Sequence, residues 1–459
     1  MKLLLSFSGM PLRRIALSAV VAVFYLTTSA ATPVDGSAAD NPAPMRIAEA
    51  PPLKPAVPVG RLIAEALAHN PELAAVRATA EAAERRVAPA GALDDPILEA
   101  GIVNVSVPAF NFRQDDMTMK MLGLSQKLPY PGKRALRTAV ASADSASVTL
   151  AIDERSNRVV RDVRVAYEEL RLADTTERLL TRTRATVKNL SSISESRYSI
   201  GQAAQSDVLQ AQTRLIQLQQ DVLKVRQERL VRASQLNRLL GRREASAQVV
   251  PTPAVLNPLR ADGERLARDA AEQRPQLRAL DALVQRGDRE VELAEREYYP
   301  DFELRLGFGQ RDRAFNGMRR DDMVTMTVAV GLPIWRKSRL EPRVAEARAL
   351  RREASAMVDA GRLDTLADLD QQLAVERQTR DSAELYQRTM LPQVRAIVES
   401  ALNAYRVGRV DFLTLLDAQM REYDAERGAA EALALHNKAI AEIDLLTGVS
   451  PQTIAGAAP

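Results

Sequence analysis

Met117, Met119 and Met121 stand two residues apart, and three thioethers at that spacing suggest a ladder for a soft metal ion. Period two, however, puts all three on the apolar face of an extended segment, where contact with lipid is the expected role. The remaining inventory for chemistry is thin. His69 and His436 are the only histidines, each in a helical context with no paired partner, and a surface or packing role suits both. The chain has no cysteine, which removes disulfides and thiolate metal sites. No phosphate loop, nucleophile elbow or metal cluster can be read. No cofactor and no catalytic residue is expected, and the chain does not read as an enzyme.

The elements that carry these residues are written twice. Asn70-Pro71-Glu72-Leu73 recurs as Arg274-Pro275-Gln276-Leu277, and Leu128-Pro129 with Lys133 as Leu332-Pro333 with Lys337, offset by 204 positions. Tyr198, Gly201, Leu209, Ala211 and Gln212 recur as Tyr405, Gly408, Leu416, Ala418 and Gln419, offset by 207. A long unit repeated in tandem predicts two pseudo-equivalent copies of one supersecondary unit. The first copy spans 59–240 and the second 262–447, joined by a Pro- and Gly-containing linker over 241–261 and followed by a tail over 448–459.

Composition narrows the class. Aromatics are 4% and charged residues 27% of the chain, and Ala, Leu, Arg, Glu and Gln dominate long stretches, as in extended helices. The 63 basic and 59 acidic residues interleave along those stretches, a solvated helical surface and not a nucleic-acid footprint. Residues 1–31 read as a signal peptide: Lys2, Arg13 and Arg14 precede an apolar run from Ile15 to Leu26, then Ser29-Ala30-Ala31. Residues 32–58, rich in Pro and Ala, read as a disordered lead-in. No later stretch reaches the ~18 uninterrupted apolar residues of a spanning helix. An exported chain without a transmembrane helix or a lipid anchor is expected.

Within each copy, a hairpin precedes a long helix. Strands are expected over about 97–107 and 117–128, then about 302–309 and 323–332, where apolar and polar residues alternate. Long helices are expected over about 134–198 and 338–404, each stopped by Tyr-x-x-Gly, with return helices over about 204–240 and 412–446. Ile152, Val159, Val163, Ala166, Leu170, Ala173, Leu180 and Val187 keep the sevens, fours and threes of a coiled-coil seam. At ~1.5 Å per residue, a long helix spans about 97 Å, and the two shorter helices of a copy stacked end to end nearly match it.

The strands decide between water and membrane. About ten alternating residues suit a membrane β-strand. Glu303, Arg305, Lys120 and glycines form the expected inner-facing set, while Tyr130, Tyr298, Tyr299 and Trp335 sit at the helix-proximal ends as an interfacial girdle would. Four strands cannot close a barrel, and an open edge in lipid costs several kcal/mol per unpaired group. The fold class expected is therefore mainly α with a membrane β-barrel: a homotrimer pooling its strands into a 12-stranded barrel above a long periplasmic helical coiled-coil barrel.

Here the sequence resembles the TolC-like outer-membrane efflux factors. The resemblance covers nearly all of 59–447 and rests on the Asn-Pro-x-Leu opening, the hairpin, Gln126-Lys-Leu-Pro-Tyr-Pro-Gly-Lys133, and Tyr405-Arg-Val-Gly-Arg-Val-Asp-Phe-Leu-Thr-Leu-Leu-Asp-Ala-Gln419. It implies a trimer in the outer membrane of a Gram-negative bacterium, docked to a periplasmic adaptor (a membrane fusion protein) and an inner-membrane pump. The Leu-Pro-Tyr-Pro-Gly-Lys junction looks like the branch paired with heavy-metal pumps of the resistance-nodulation-division type, although no soft-metal ligand set accompanies it. A periplasmic coiled-coil adaptor or scaffold that never enters the membrane is the competing reading.

The resemblance also assigns a periplasmic gate where the long helices turn back. Asp417 matches the family's constricting aspartate ring, and Leu413, one turn earlier, an apolar ring of some members. Asp207 and Tyr405 match positions that link neighbouring helices in the closed state. Thr414 stands where some members carry a second aspartate, and Val410, beside Arg409, where they carry an arginine. Read without the family, Asp207 and Asp417 are solvated carboxylates near helix N-termini, stabilising there anyway. Gly201 and Gly408 are turn-formers, and with Tyr198 they mark the end expected to dock the adaptor. Pro129, Pro131 and Pro333 set the strand-to-helix junctions.

Overall fold

In each copy the second helix starts on a proline, Pro71 in the first and Pro275 in the second. In the computed structural model, which describes residues 56–105, 111–113, 115–243, 249–451 and 453–454, α1 (Val59–His69) meets α2 (Pro71–Ala90) at Asn70. Asn70 Oδ1 accepts the N–H groups of Glu72 and Leu73 at 2.9 and 3.2 Å, capping α2. There follow β1 (Ile97–Val103), β2 (Met119–Leu128), α3 (Lys133–Ser199) and α4 (Gln205–Leu239). The second copy repeats the order: α5 (Gly263–Gln273), α6 (Pro275–Arg296), β3 (Asp301–Gln310), β4 (Met323–Gly331), a rod of α7 (Glu341–Leu385) and α8 (Leu391–Arg406), then α9 (Phe412–Leu446). The expected leader over 1–31 lies outside the described residues.

The shorter helices stack end to end along the long ones. α2 and α4 both pack on α3, and their joint is closed by Asn70 Nδ2, which donates to the Leu239 carbonyl at 2.8 Å. Gly241, at φ 71°, turns the chain there, and a Cβ on it would stand 2.3 Å from the His69 carbonyl oxygen. The second copy repeats the joint with Gly448, at φ 68°, against Gln273. Only glycine tolerates both the left-handed backbone and so close an approach. At 67 residues, α3 is about 100 Å long. Its seam residues Val159, Val163, Ala166, Leu170, Ala173, Leu180 and Val187 are buried. Among the described residues no helix is long and apolar enough to cross a membrane.

A belt from the linker crosses the waist of this frame. Val57 pairs with Pro251, and the buried Tyr167 hydroxyl donates to the Val57 carbonyl at 2.9 Å and accepts the Thr252 N–H at 2.8 Å. Asn437 accepts from the Asn257 N–H and donates to the Val255 carbonyl. His436, expected at the surface or in packing without a partner, is buried beside this belt. Its Nε2 lies 2.8 Å from the Asn257 carbonyl oxygen and its Nδ1 3.9 Å from Glu376.

Two expectations need correction. The long helix expected over about 338–404 opens on a wide π turn at Arg336–Leu340 and carries a second at Tyr386–Met390. Pro392 explains the second: it has no N–H for the preceding turn, and its ring crowds the carbonyl four residues back, so the helix widens. The copies' offset grows from 204 to 207 across this rod, and the two π turns take up two of those three extra residues without breaking the helix. The widened turn lays the Tyr386 ring on Gly428 of α9, where a Cβ would stand 2.6 Å from the phenol oxygen. The second correction concerns the first strand, expected to reach 107. It stops at Val103 because Asn104 takes the left-handed conformation, φ 57°, and its carbonyl accepts the Thr118 hydroxyl at 2.6 Å.

Candidate gate and pore-lining surface

Glycine builds the tip at which the long helices turn back. Gly201 and Gly408 both have φ 74°, and the N–H groups of Gln202 and Arg409 reach back to the carbonyls of Arg197 and Ala404 at 2.8 and 2.9 Å. These six-to-one bonds satisfy carbonyls that a helix end leaves orphaned. α4 then begins at Gln205, and α9 at Phe412, where Asp411 caps the first turn by accepting the Thr414 N–H at 2.9 Å. The Thr414 hydroxyl and N–H together hold the Asp411 carboxyl below the usual carboxylate range.

The side chains assigned to the gate fall into two settings. Leu413 and Asp417 are both exposed, one turn apart on α9, with Thr414 exposed between them. Tyr405 is buried, its ring edge-on to Phe412 at 6.0 Å. Asp207 is half-buried in the first turn of α4, and Tyr198 is exposed. The Tyr405 hydroxyl has no partner among the described residues, so no bond joins it to Asp207 within one chain.

Reasoning from sequence missed the side chain that ties the two turns together. Arg197, near the end of α3, donates from Nη1 to the Tyr405 carbonyl at 2.6 Å and stacks its guanidinium 4.9 Å from the Tyr405 ring centre. A cation at the C-terminal end of α8 also meets the negative pole of that helix. The signal was present in the duplication: at the 207 offset, Arg197 corresponds to Ala404, so the copies differ where one must reach the other.

At the opposite end, the strands form one antiparallel sheet in the order β1-β2-β3-β4. Cross-strand partners share a face, so register sorts the side chains. Leu98, Leu122, Leu124, Leu128, Phe302, Leu304, Leu306, Phe308, Val324, Met326, Val328 and Val330 lie on one face. Glu99, Ser125, Lys127, Glu303, Arg305, Thr325 and Thr327 lie on the other. The apolar face is left largely uncovered, with Leu98, Leu122, Leu124, Leu306, Phe308, Val324, Met326 and Val328 exposed. The polar face is mixed, with Gly123, Ser125 and Gly309 buried and Glu99, Lys127, Arg305, Thr325 and Thr327 exposed. This inverts a water-soluble sheet and suits hydrocarbon outside a wet interior.

Register also corrects two sequence assignments. Lys120, expected in the inner-facing set with Glu303 and Arg305, is on the apolar face at its outer end, 3.4 Å from Asp312 and 5.5 Å from the Phe112 ring centre. Met119 and Met121, expected on the lipid face, are on the polar face, and Met117 precedes the strand. The reason is local: apolar residues hold odd positions up to Met121 and even positions from Leu122. Leu122, Leu124 and Leu128 pair with Phe308, Leu306 and Phe302, and three such rows outweigh two methionines.

A four-stranded ribbon with an outward apolar face, carried on helices too long for a globular layer, defines the class: a membrane-inserted ribbon on a helical stalk. The chain belongs to the outer membrane efflux protein family, whose model matches residues 62–242 and 266–449, one stretch per copy. Among solved structures it is similar to the outer-membrane channel OprN, at 21% identity and TM-score 0.72, covering 86% of this chain and 90% of that one. It is similar to the outer membrane protein VceC of Vibrio cholerae, at 18% identity and TM-score 0.71, covering 85% of this chain and 96% of that one. It is also similar to the MtrE outer membrane channel of Neisseria gonorrhoeae, at 17% identity and TM-score 0.72, covering 85% and 88% respectively. No curated protein matches the chain by sequence.

Proposed function

We propose that three copies of this chain form one conduit through the outer membrane of a Gram-negative bacterium. The conduit docks a periplasmic adaptor and a resistance-nodulation-division pump of the inner membrane, and passes solutes outward without chemistry of its own. The observation that carries this reading is the pair of open sheet edges. β1 and β4 each leave one row of backbone groups unpaired on a ribbon whose outer face is apolar. In lipid each unpaired group costs several kcal/mol, and pairing β1 of one copy with β4 of the next removes the cost. Three copies give twelve strands, enough for a barrel with a lumen. The helices of the two repeats, 59–240 and 262–447, form the periplasmic stalk, and its tip gates the conduit through Asp417 and Leu413. Three carboxylates crowded on one axis favour cations and repel one another, so a docked partner that splays the helices opens the ring readily. A soluble scaffold has no use for apolar faces on both hairpins.

Disulfides test the closure cleanly, because the chain has no cysteine of its own. Within one chain β1 and β4 are three strand spacings apart, about 14 Å, beyond the ~7 Å reach of a disulfide. Cysteines at Ala100 on β1 and at Val324, Met326 or Val328 on β4 therefore cross-link only between copies. A covalent trimer on a non-reducing gel is the expected product for one of the three pairs. A monomer throughout would overturn the reading.

A further inference from the structure

We propose that the polar face of the sheet carries a thioether site for a soft monovalent cation, copper(I) or silver(I), near the outer mouth of the conduit. The site is drawn by register. Across the four strands one row reads Gly101, Met121, Gly309, Met323, methionine and glycine alternating. Met119 lies two residues beyond Met121 on the same face.

The glycines make the room. Met119 Sδ lies 2.5 Å from where a Cβ on Gly309 would be, and Met121 Cε lies 3.1 Å from where a Cβ on Gly307 would be. The side chains of Met119 and Met121 therefore fold over the β3 backbone, Met119 at Gly309, which pairs with Met323, and Met121 one step along at Gly307, which pairs with Thr325. Gly307 and Gly309 are ~7 Å apart along the strand, and Met323 is a cross-strand neighbour at ~5 Å. Three unbranched side chains, each with three rotatable bonds, can bring their sulfurs onto one ion across that span.

The setting argues against packing alone. Most apolar side chains on these strands gather on the opposite face, with Leu122, Phe308 and Val324 in one row and Leu124, Leu306 and Met326 in the next, while Val103, opposite Met119, and Ile97 share the methionines' face. The three methionines instead share a face with Glu99, Glu303, Arg305 and Thr325, on the side the ring would fill with water. Thioethers select soft monovalent ions over hard cations and carry no charge, so they bind reversibly and suit a conduit that must release what it holds. In a closed trimer three methionines per chain give nine within two adjacent same-face rows of the barrel.

This inference rests on the efflux-conduit reading for its direction of transport, yet the two fail separately. Detergent-solubilised full chain is titrated with silver nitrate, free of chloride, by calorimetry, beside the Met119→Leu/Met121→Leu/Met323→Leu variant. A Met326→Leu variant, altered on the apolar face, is the control. Silver binding by the wild type and Met326→Leu, reduced at least tenfold in the triple variant, is expected. Because thioethers do not titrate, binding should be equal at pH 7 and pH 5, and sulfur should dominate the silver X-ray absorption edge. Equal binding by wild type and triple variant overturns the site and leaves methionine as a filler over glycine. Ion conductance in planar bilayers, measured on both proteins, reports the conduit independently: it persists if only the site is wrong and is absent if the conduit is.

Discussion

Four apolar side chains on α4 stand in heptad register with nothing covering them: Leu209, Ile216, Leu223 and Leu230, exposed by 55, 62, 55 and 64%. Their buried counterparts on the same helix, Ala211, Leu218 and Val222, already pack within the chain. A second apolar stripe repeating every seven residues is the mark of a second helical partner. Fully burying a leucine or isoleucine contributes ~1.5–3 kcal/mol, so the exposed half of each side chain stands for about 1–1.8 kcal/mol. The double change Ile216→Ala/Leu223→Ala should then remove about 2–3 kcal/mol from each contact between copies, a ~30–150-fold weaker interface. A closed ring of three has three such interfaces, and the losses compound. The assay is the heat-dependent passage from trimer to monomer in mild detergent, read by gel and by sedimentation, with circular dichroism confirming that the helices remain. The trimer should dissociate at a markedly lower temperature. Leu218→Ala, which opens the buried seam instead, should weaken the monomer itself. A double variant that dissociates as the wild type does would refute the assignment of this stripe to a neighbouring copy.

Other perturbations test single contacts. Arg197→Met removes a charged hydrogen bond to the Tyr405 carbonyl at 2.6 Å, ~1.5–3 kcal/mol of local stability, and should raise amide exchange in the second tip turn and the closed-state current in planar bilayers. Asp417→Ala should also raise that current and reduce its cation preference, and an unchanged trace would remove Asp417 from the gate. Gly428→Ala forces a methyl into the Tyr386 ring and should cost ~1–3 kcal/mol, visible as a lower melting temperature that Tyr386→Ala in the same chain recovers in part. Arg242 donates to both oxygens of Glu65, at 2.6 and 2.8 Å, and this holds the Glu65 carboxyl below its ordinary range. A depressed folded value means stability present above the unfolded pKa of ~4.3 and lost as pH falls through the folded one. Arg242→Gln should flatten that part of the acid-unfolding curve without changing stability's slope above neutrality.

The sequence by itself determined what local rules can write. The duplication, the Asn-Pro helix start, the Tyr-x-x-Gly stops and the seam from Ile152 to Val187 depend on neighbours a few residues away, and the family and fold were legible from them. Tertiary structure decided what depends on partners far along the chain. The alternation in β2 supports two phases, and only pairing with β3 chose the one that puts Met119 and Met121 with Glu303 and sends Lys120 to the apolar face. Arg197 acquires a role only when α8 ends beside it, some 208 residues later. The π turn at Tyr386–Met390 exists because Pro392 strains a rod that must still reach the same tip as its three-residue-shorter counterpart. Periodicity is a property of one segment, whereas register, reach and strain are properties of two segments held against each other.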